Sequence, residues 1–167
     1  MAMQEPTWQA AENEIYRVQR FTFHHWIAAA AAILSELPNY SWVGFYWLVG
    51  DRLLLGSWHG PAATEHTSIP LGQGVCGRAA RVRQTIIVDD VSKDPRYLSC
   101  FPSTKSEIVV PIFRNGDNTQ DVVGEIDIDS DKIAAFTRTD VERLEALAAN
   151  IGRRYPPAFD PRECSAG

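Results

Sequence analysis

The chain has 167 residues, 45% hydrophobic and 22% charged, the profile of one globular domain with a real core and little room for a second. A net charge of −5 argues against nucleic acid as a main partner, which calls for a basic stripe, and no apolar run reaches the roughly 20 residues of a membrane span. The start lacks a secretory signal, and the three cysteines Cys76, Cys100 and Cys164 form neither a disulfide scaffold nor a zinc motif, so a reducing cytoplasm is the expected setting.

Pro6 and Thr7 open a long helix, with Ile15, Val18 and Trp26 at helical spacing. Leu37-Pro38-Asn39 ends it, because a residue before proline avoids the helical region. Residues 41–49 and 52–58 read as a β-hairpin about Gly50-Asp51. Its first strand is bulky on both faces, Trp42 and Tyr46 on one, Val43, Phe45 and Trp47 on the other, so both faces are covered. A loop over 59–73 leads into a short helix from Gly74 to Val82. A strand over 85–91, a helical turn over 92–97 and a loop around Cys100 follow. Strands over 106–113 and 122–130 flank a turn at Asn115-Gly116-Asp117-Asn118. Thr137 and Asp140 resemble a capping box for the last helix, whose stripe is Val141, Leu144, Leu147, Ala148 and Ile151. The expected architecture is α+β: a single domain over 1–155, with a central, mainly antiparallel sheet flanked by the N- and C-terminal helices and closed by pocket loops. Residues 156–167 read as a mobile C-terminal tail.

The run from Val122 to Ser130 places Glu125, Asp127 and Asp129 on one strand face and Gly124, Ile126 and Ile128 on the other. Facing water, the acids are an ordinary polar edge. Facing a pocket, neighbours about 6–7 Å apart repel, and one holds its proton near neutral pH. Such a carboxyl donates a hydrogen bond or a proton. Glu107 enters the otherwise apolar partner strand, and Cys100 lies in the loop seven residues earlier. A thiolate is the reactive form of cysteine, and acids alone raise its pKa. Attack by Cys100 therefore needs these acids to be partly protonated or occupied by a cationic substrate. Trp42 beside them suits an amino group or a partly positive sulfur. His24, His25, His59 and His66 lack metal-ligand spacing, and Gly72-Gln73-Gly74 is too weak for a phosphate loop.

Four stretches together resemble a GAF domain and, more narrowly, the free methionine-(R)-sulfoxide reductases, a GAF-fold enzyme family. They are Trp42-Val43-Gly44-Phe45-Tyr46, Ile69 to Gly77 with its Gly-Val-Cys-Gly, Cys100 followed by Ser106 to Ile112, and Gly124 to Ser130. The resemblance implies reduction of free L-methionine (R)-S-oxide to L-methionine through a cysteine sulfenic acid. It implies no metal and no organic cofactor, with a thioredoxin-like or small-thiol reductant as donor; a homodimer is expected from the long first helix and the last helix packing across a two-fold axis. Position by position, Cys100 matches the nucleophile and Cys76 an auxiliary cysteine. Glu107, Asp127 and Asp129 match groups that bind the substrate's amino group and sulfoxide oxygen. Trp42 and Tyr46 line the pocket, and backbone N–H groups near Ser99 and Cys100 hold the substrate carboxylate. Glu125 has no match and is expected at the rim. One departure stands out: His66 occupies the place of the usual resolving cysteine, ten residues before Cys76. The resolving thiol is then Cys76, Cys164 or an external one. The alternative reading is a non-catalytic GAF sensor of a small ligand.

Overall fold

The computed structural model describes residues 6–162. Six strands form one sheet: β1 Trp42–Val49, β2 Arg52–His59, β3 Ser68–Pro70, β4 Ile86–Val88, β5 Ser106–Phe113 and β6 Val122–Ser130, in the order β3-β2-β1-β6-β5-β4. Every pairing is antiparallel. Helices α1 Trp8–Val18, α2 Phe23–Ser35 and α4 Arg138–Arg154 cover one face, and α3 Gly74–Val82 with its flanking loops covers the other. The expected α+β architecture is the one found.

The two faces bury separate cores. Val43, Phe45, Trp47, Ile108, Val110, Ile112, Ile126 and Ile128 pack under the three helices, whereas Trp42, Tyr46, Val109, Cys76 and Ala79 pack on the α3 side. This is the alternation that period two dictates, broken in β2 opposite Gly44–Tyr46 and again in β6. Ile112 pairs with Gly124 but Phe113 with Val122, so Val123 is an extra residue in β6. This β-bulge flips the alternation: Val123 enters the helical core and Val122 the α3 side. The strand rule put them the other way round.

The expected single N-terminal helix is two helices. Thr22, in extended backbone, is the N-cap of α2, with the Trp26 amide donating to its carbonyl at 2.9 Å. The break folds α1 back onto α2, where the Trp26 indole donates to the Ile15 carbonyl at 3.1 Å. The α1 helix also meets α4, through an Arg143–Glu12 ion pair at 2.9 Å. The first and last helices therefore pack on each other within one chain. Part of the segment read as a mobile tail also packs: Phe159 sits 5.1 Å from the rings of Phe23 and Trp47 and 5.2 Å from that of Tyr155. The strand expected over 85–91 shortens to Ile86–Val88, because Asp90 caps a 3-10 turn at Val91–Lys93.

Asp140 ties these layers together. One of its oxygens accepts from the Thr137 amide and hydroxyl, each at 2.7 Å, completing the capping box of α4. The other accepts from the Tyr40 hydroxyl at 2.7 Å and the Trp8 indole at 3.1 Å. Burial pushes the Asp140 carboxyl up, but the donors at Thr137, Tyr40 and Trp8 outweigh it and hold the group below its ordinary value.

Asp140→Ala leaves the Thr137 N-cap in place but removes the reciprocal half of its capping box and strands the Tyr40 and Trp8 donors, at about 1 kcal/mol or more each, so the Tm should fall by roughly 5–10 °C. A carboxyl depressed in the folded state stabilises above its unfolded pKa, and that contribution is lost as pH falls through the folded value. The gap between wild type and variant in thermal melts should therefore close below about pH 4.

Candidate active site

Register alone assembles the site. On one edge of β6, Glu107 stands opposite Asp129, Val109 opposite Asp127 and Pro111 opposite Glu125. On the other edge, Trp42 faces Asp129, Gly44 faces Asp127 and Tyr46 faces Glu125. Directly opposed residues share a sheet face, so three carboxyls of β6 and one of β5 line up beneath α3. They are buried: Glu107 is 4% exposed, Glu125 0%, and Asp127 and Asp129 1% each. The acidic face is thus not a solvated edge, and Glu125 lies inside rather than at the rim.

No group stands in hydrogen-bonding geometry to either oxygen of Glu125, Asp127 or Asp129 among the described residues. Four carboxylates so placed cannot all ionise. Burial, then Asp127 and Asp129, pushes Glu107 well above its ordinary value; burial, then Asp127, does the same to Asp129; burial does the same to Glu125. Asp127 rises least. Burial pushes it up to about 6, while the nearby Cys76 thiol and Glu107 favour its charged form. Of the four carboxyls, Asp127 is therefore the most readily ionised.

Two thiols border this row. Cys76, on the first turn of α3, is buried, and its Sγ lies within 4.8 Å of oxygens of Glu107 and Asp127. This trio is the set that would hold a cation if one entered. Gly77 permits the placement: a Cβ there would stand 2.4 Å from the Pro70 carbonyl, so only glycine lets α3 press this close to β3. Cys100 is half-buried in the loop before β5, with the Leu98 carbonyl 3.8 Å from its Sγ. Burial, then Asp127, Asp129 and Glu107, pushes its thiol up, and Thr64 acts in the opposite sense. Asp127, Asp129 and Glu107 thus all bear on Cys100. Cys164 lies outside the described residues.

Trp42 forms an aromatic wall at one end of the row, stacked on Trp58 at 6.2 Å and beside Phe101 at 5.9 Å. Its indole lies over Gly44, where a Cβ would come within 2.2 Å of the ring. Tyr46 is buried on the same face, and its hydroxyl donates to the His66 carbonyl at 2.8 Å. The His66 Nε2 in turn lies 2.9 Å from the Ser99 carbonyl. His66 therefore bridges the loop over 60–67 to the exposed Ser99 beside Cys100. Trp58, Thr64, Tyr97, Phe101 and Thr104 border the site and were missed from the sequence. Thr64 and Thr104 carry no signal there. Tyr97 does, as the end of the Asp94-Pro95-Arg96-Tyr97 turn, three residues before Cys100.

A GAF domain model matches residues 24–155. The free methionine-R-sulfoxide reductase of Saccharomyces cerevisiae is 42% identical over 125 residues, spanning 73% of this chain and 67% of the relative. Among solved structures, the type II free methionine-R-sulfoxide reductase of Thermoplasma acidophilum is 41% identical, with a TM-score of 0.73 over 78% of this chain and 89% of that one. The free methionine-R-sulfoxide reductase of Neisseria meningitidis, solved with its substrate, is 35% identical, with a TM-score of 0.76 over 88% and 84% of the two chains. With a GAF fold, the acid row and these relatives in agreement, the chain belongs to the free methionine-R-sulfoxide reductase family.

Proposed function

We propose that this chain reduces free L-methionine (R)-S-oxide to L-methionine by a thiol mechanism centred on Cys100. The observation that carries the reading is a loop thiol set against three buried carboxyls, Glu107, Asp127 and Asp129, of which Asp127 is the most readily ionised. As the most readily ionised of these carboxyls, Asp127 takes the substrate ammonium. Glu107 and Asp129, held protonated, donate to the sulfoxide oxygen and make its sulfur electrophilic. The wall of Trp42, Trp58 and Phe101 packs on the methyl-sulfur end. Backbone N–H groups near Ser99 and Cys100 hold the substrate carboxylate, so that methionine sulfoxide within a peptide is excluded.

The ammonium also answers the raised thiol pKa, since a positive charge beside Asp127 removes the repulsion that opposes a Cys100 thiolate. The sulfur of Cys100 bonds to the sulfoxide centre, the oxygen passes to Cys100 as a sulfenic acid, and methionine leaves reduced by two electrons. A second thiol then displaces the sulfenic oxygen as water, forming a disulfide. Cys76 borders the same Asp127 and Glu107 as Cys100 does, which suits it to this step. A thioredoxin-like or small-thiol reductant restores the dithiol. No metal or organic cofactor enters these steps.

A sensor needs no thiol facing protonated carboxyls, so the catalytic reading is preferred. Cys76 and Cys100 are free thiols, as a cytoplasmic setting would keep them, and no helix among the described residues is long and apolar enough to cross a membrane. A homodimer remains part of the proposal, and light scattering in solution tests it.

With excess dithiothreitol the protein should consume the R epimer of free methionine sulfoxide and leave the S epimer and peptide-bound forms untouched. Cys100→Ser should abolish turnover; activity surviving in that variant contradicts the nucleophile assignment. With thioredoxin as donor, Cys76→Ser should slow turnover if Cys76 resolves the sulfenic acid, and unchanged turnover assigns that step to another thiol. Because binding needs Asp127 ionised, kcat/KM should rise with pH through about 6. Asp127→Asn should lose that ascending limb, and most of the damage should appear in KM.

A further inference from the structure

Tyr97 has no part in the scheme above, yet its hydroxyl is buried and stands in hydrogen-bonding geometry to no group among the described residues. Thr104 lies close enough to favour the charged forms of both Tyr97 and Asp129, without standing in hydrogen-bonding geometry to either. A buried hydroxyl left unpaired costs about 1–3 kcal/mol, so such a group is retained where a ligand completes it. Its surroundings say which ligand atom that is. The ionisable groups that bear on the Tyr97 phenol are Asp129, Glu107 and Cys100, the three groups that meet the sulfoxide in the proposed reaction.

The ring is held where it is by α3. Asp94 accepts from the Arg96 amide at 2.9 Å and forms an ion pair with Arg78 of α3, whose Nε donates to the Gly74 carbonyl at 2.9 Å. The Tyr97 amide donates to the Asp94 carbonyl at 3.0 Å. The phenol therefore hangs from a turn pinned to the helix that carries Cys76, and donors are effective in catalysis when fixed in this way.

We infer that Tyr97 is a substrate-contacting catalytic residue whose hydroxyl donates a hydrogen bond to the sulfoxide oxygen. The inference rests on the reading given under Proposed function and adds a donor to it. The substrate carboxylate is already assigned to backbone N–H groups near Ser99 and Cys100, and the ammonium is better served by Asp127, the most readily ionised carboxyl. The sulfoxide oxygen, partly negative and one bond from the sulfur that Cys100 attacks, suits a hydroxyl donor. Negative charge on this oxygen grows as the S–O bond yields, so the contact strengthens in the transition state. Burial, then Asp129 and Glu107, pushes the phenol well above its ordinary value. Tyr97 thus remains a donor at every working pH, whereas the carboxyls donate only while protonated.

The test is Tyr97→Phe, which keeps the ring and removes one oxygen. Its thermal melt should match wild type, and its kcat/KM for free methionine (R)-sulfoxide should fall about ten- to hundredfold. The direct readout is binding in the non-turnover Cys100→Ser background, with methionine sulfoxide and methionine as the two probes. Adding Tyr97→Phe should weaken sulfoxide binding about tenfold and leave methionine binding unchanged, because methionine lacks the oxygen. Equal losses for both ligands would make Tyr97 a packing residue and overturn the inference, as would turnover within twofold of wild type. Should Tyr97→Phe fail to fold, the Raman doublet of tyrosine in the Cys100→Ser protein takes its place. A donor-type shift with the sulfoxide but not with methionine supports the contact, and no difference between the ligands contradicts it. Wild type without any sulfoxide turnover would instead remove the functional reading on which the inference stands.

Discussion

The organising constraint of this molecule is the burial of four carboxyls along two paired strands. Backbone pairing satisfies the peptide groups of β5 and β6, but nothing in the sheet satisfies the side chains that point at α3. Charged, they would repel one another in a low-dielectric space and lose their hydration. Burial raises the pKa of all four, least for Asp127, and so favours their protonated forms. This has a thermodynamic sign. A carboxyl raised in the folded state stabilises below its unfolded pKa, and that contribution is lost as pH rises through the folded value. The acid row therefore costs the free protein stability at neutral pH. On the proposed reading, a bound ammonium would offset part of that cost and so couple substrate binding to folding stability.

The rest of the architecture makes such a row affordable. The far side of the same sheet is conventional: three helices, a continuous aliphatic and aromatic core, and one carboxyl, Asp140, whose oxygens are fully engaged by donors. Asp140 and the acid row are opposite solutions to one problem. Where donors are supplied, the carboxylate is held charged and the helices are tied together; where they are withheld, the carboxyls remain neutral and receptive. The α3 side has one short helix and two loops, joined by the His66–Ser99 contact beside Cys100. Chemistry sits on the less heavily covered face of the sheet, and the heavily packed face holds its register.

Much of this was legible in the sequence, because period two is enforced by backbone geometry. Glu125, Asp127 and Asp129 were placed on one face by alternation, Glu107 in the strand paired with them, and the capping box at Thr137 and Asp140 by a local spacing rule. The failures have physical causes as well. Val122 and Val123 exchanged faces through a bulge that depends on pairing with β5, which no local pattern records. Glu125 was placed at the rim because strand position says which face a residue takes, not how deep the cover over that face extends. The break at Thr22 was hidden by continuous helical periodicity on both sides of it. Phe159 was lost among prolines, since its anchoring depends on Phe23, Trp47 and Tyr155, far away in the chain. Thr64 and Thr104 meet the site only through loop folding.

The central claim is that carboxyls in this row remain protonated in the free protein at neutral pH. Infrared difference spectroscopy reads it directly, through the C=O stretch of a protonated carboxyl at pH 7, assigned by comparing wild type with Glu107→Gln, Glu125→Gln and Asp129→Asn. The account predicts a protonated-carboxyl band in wild type that weakens with each substitution. A spectrum at pH 7 containing carboxylate bands alone, with no change in the C=O region in any of the three variants, would contradict it.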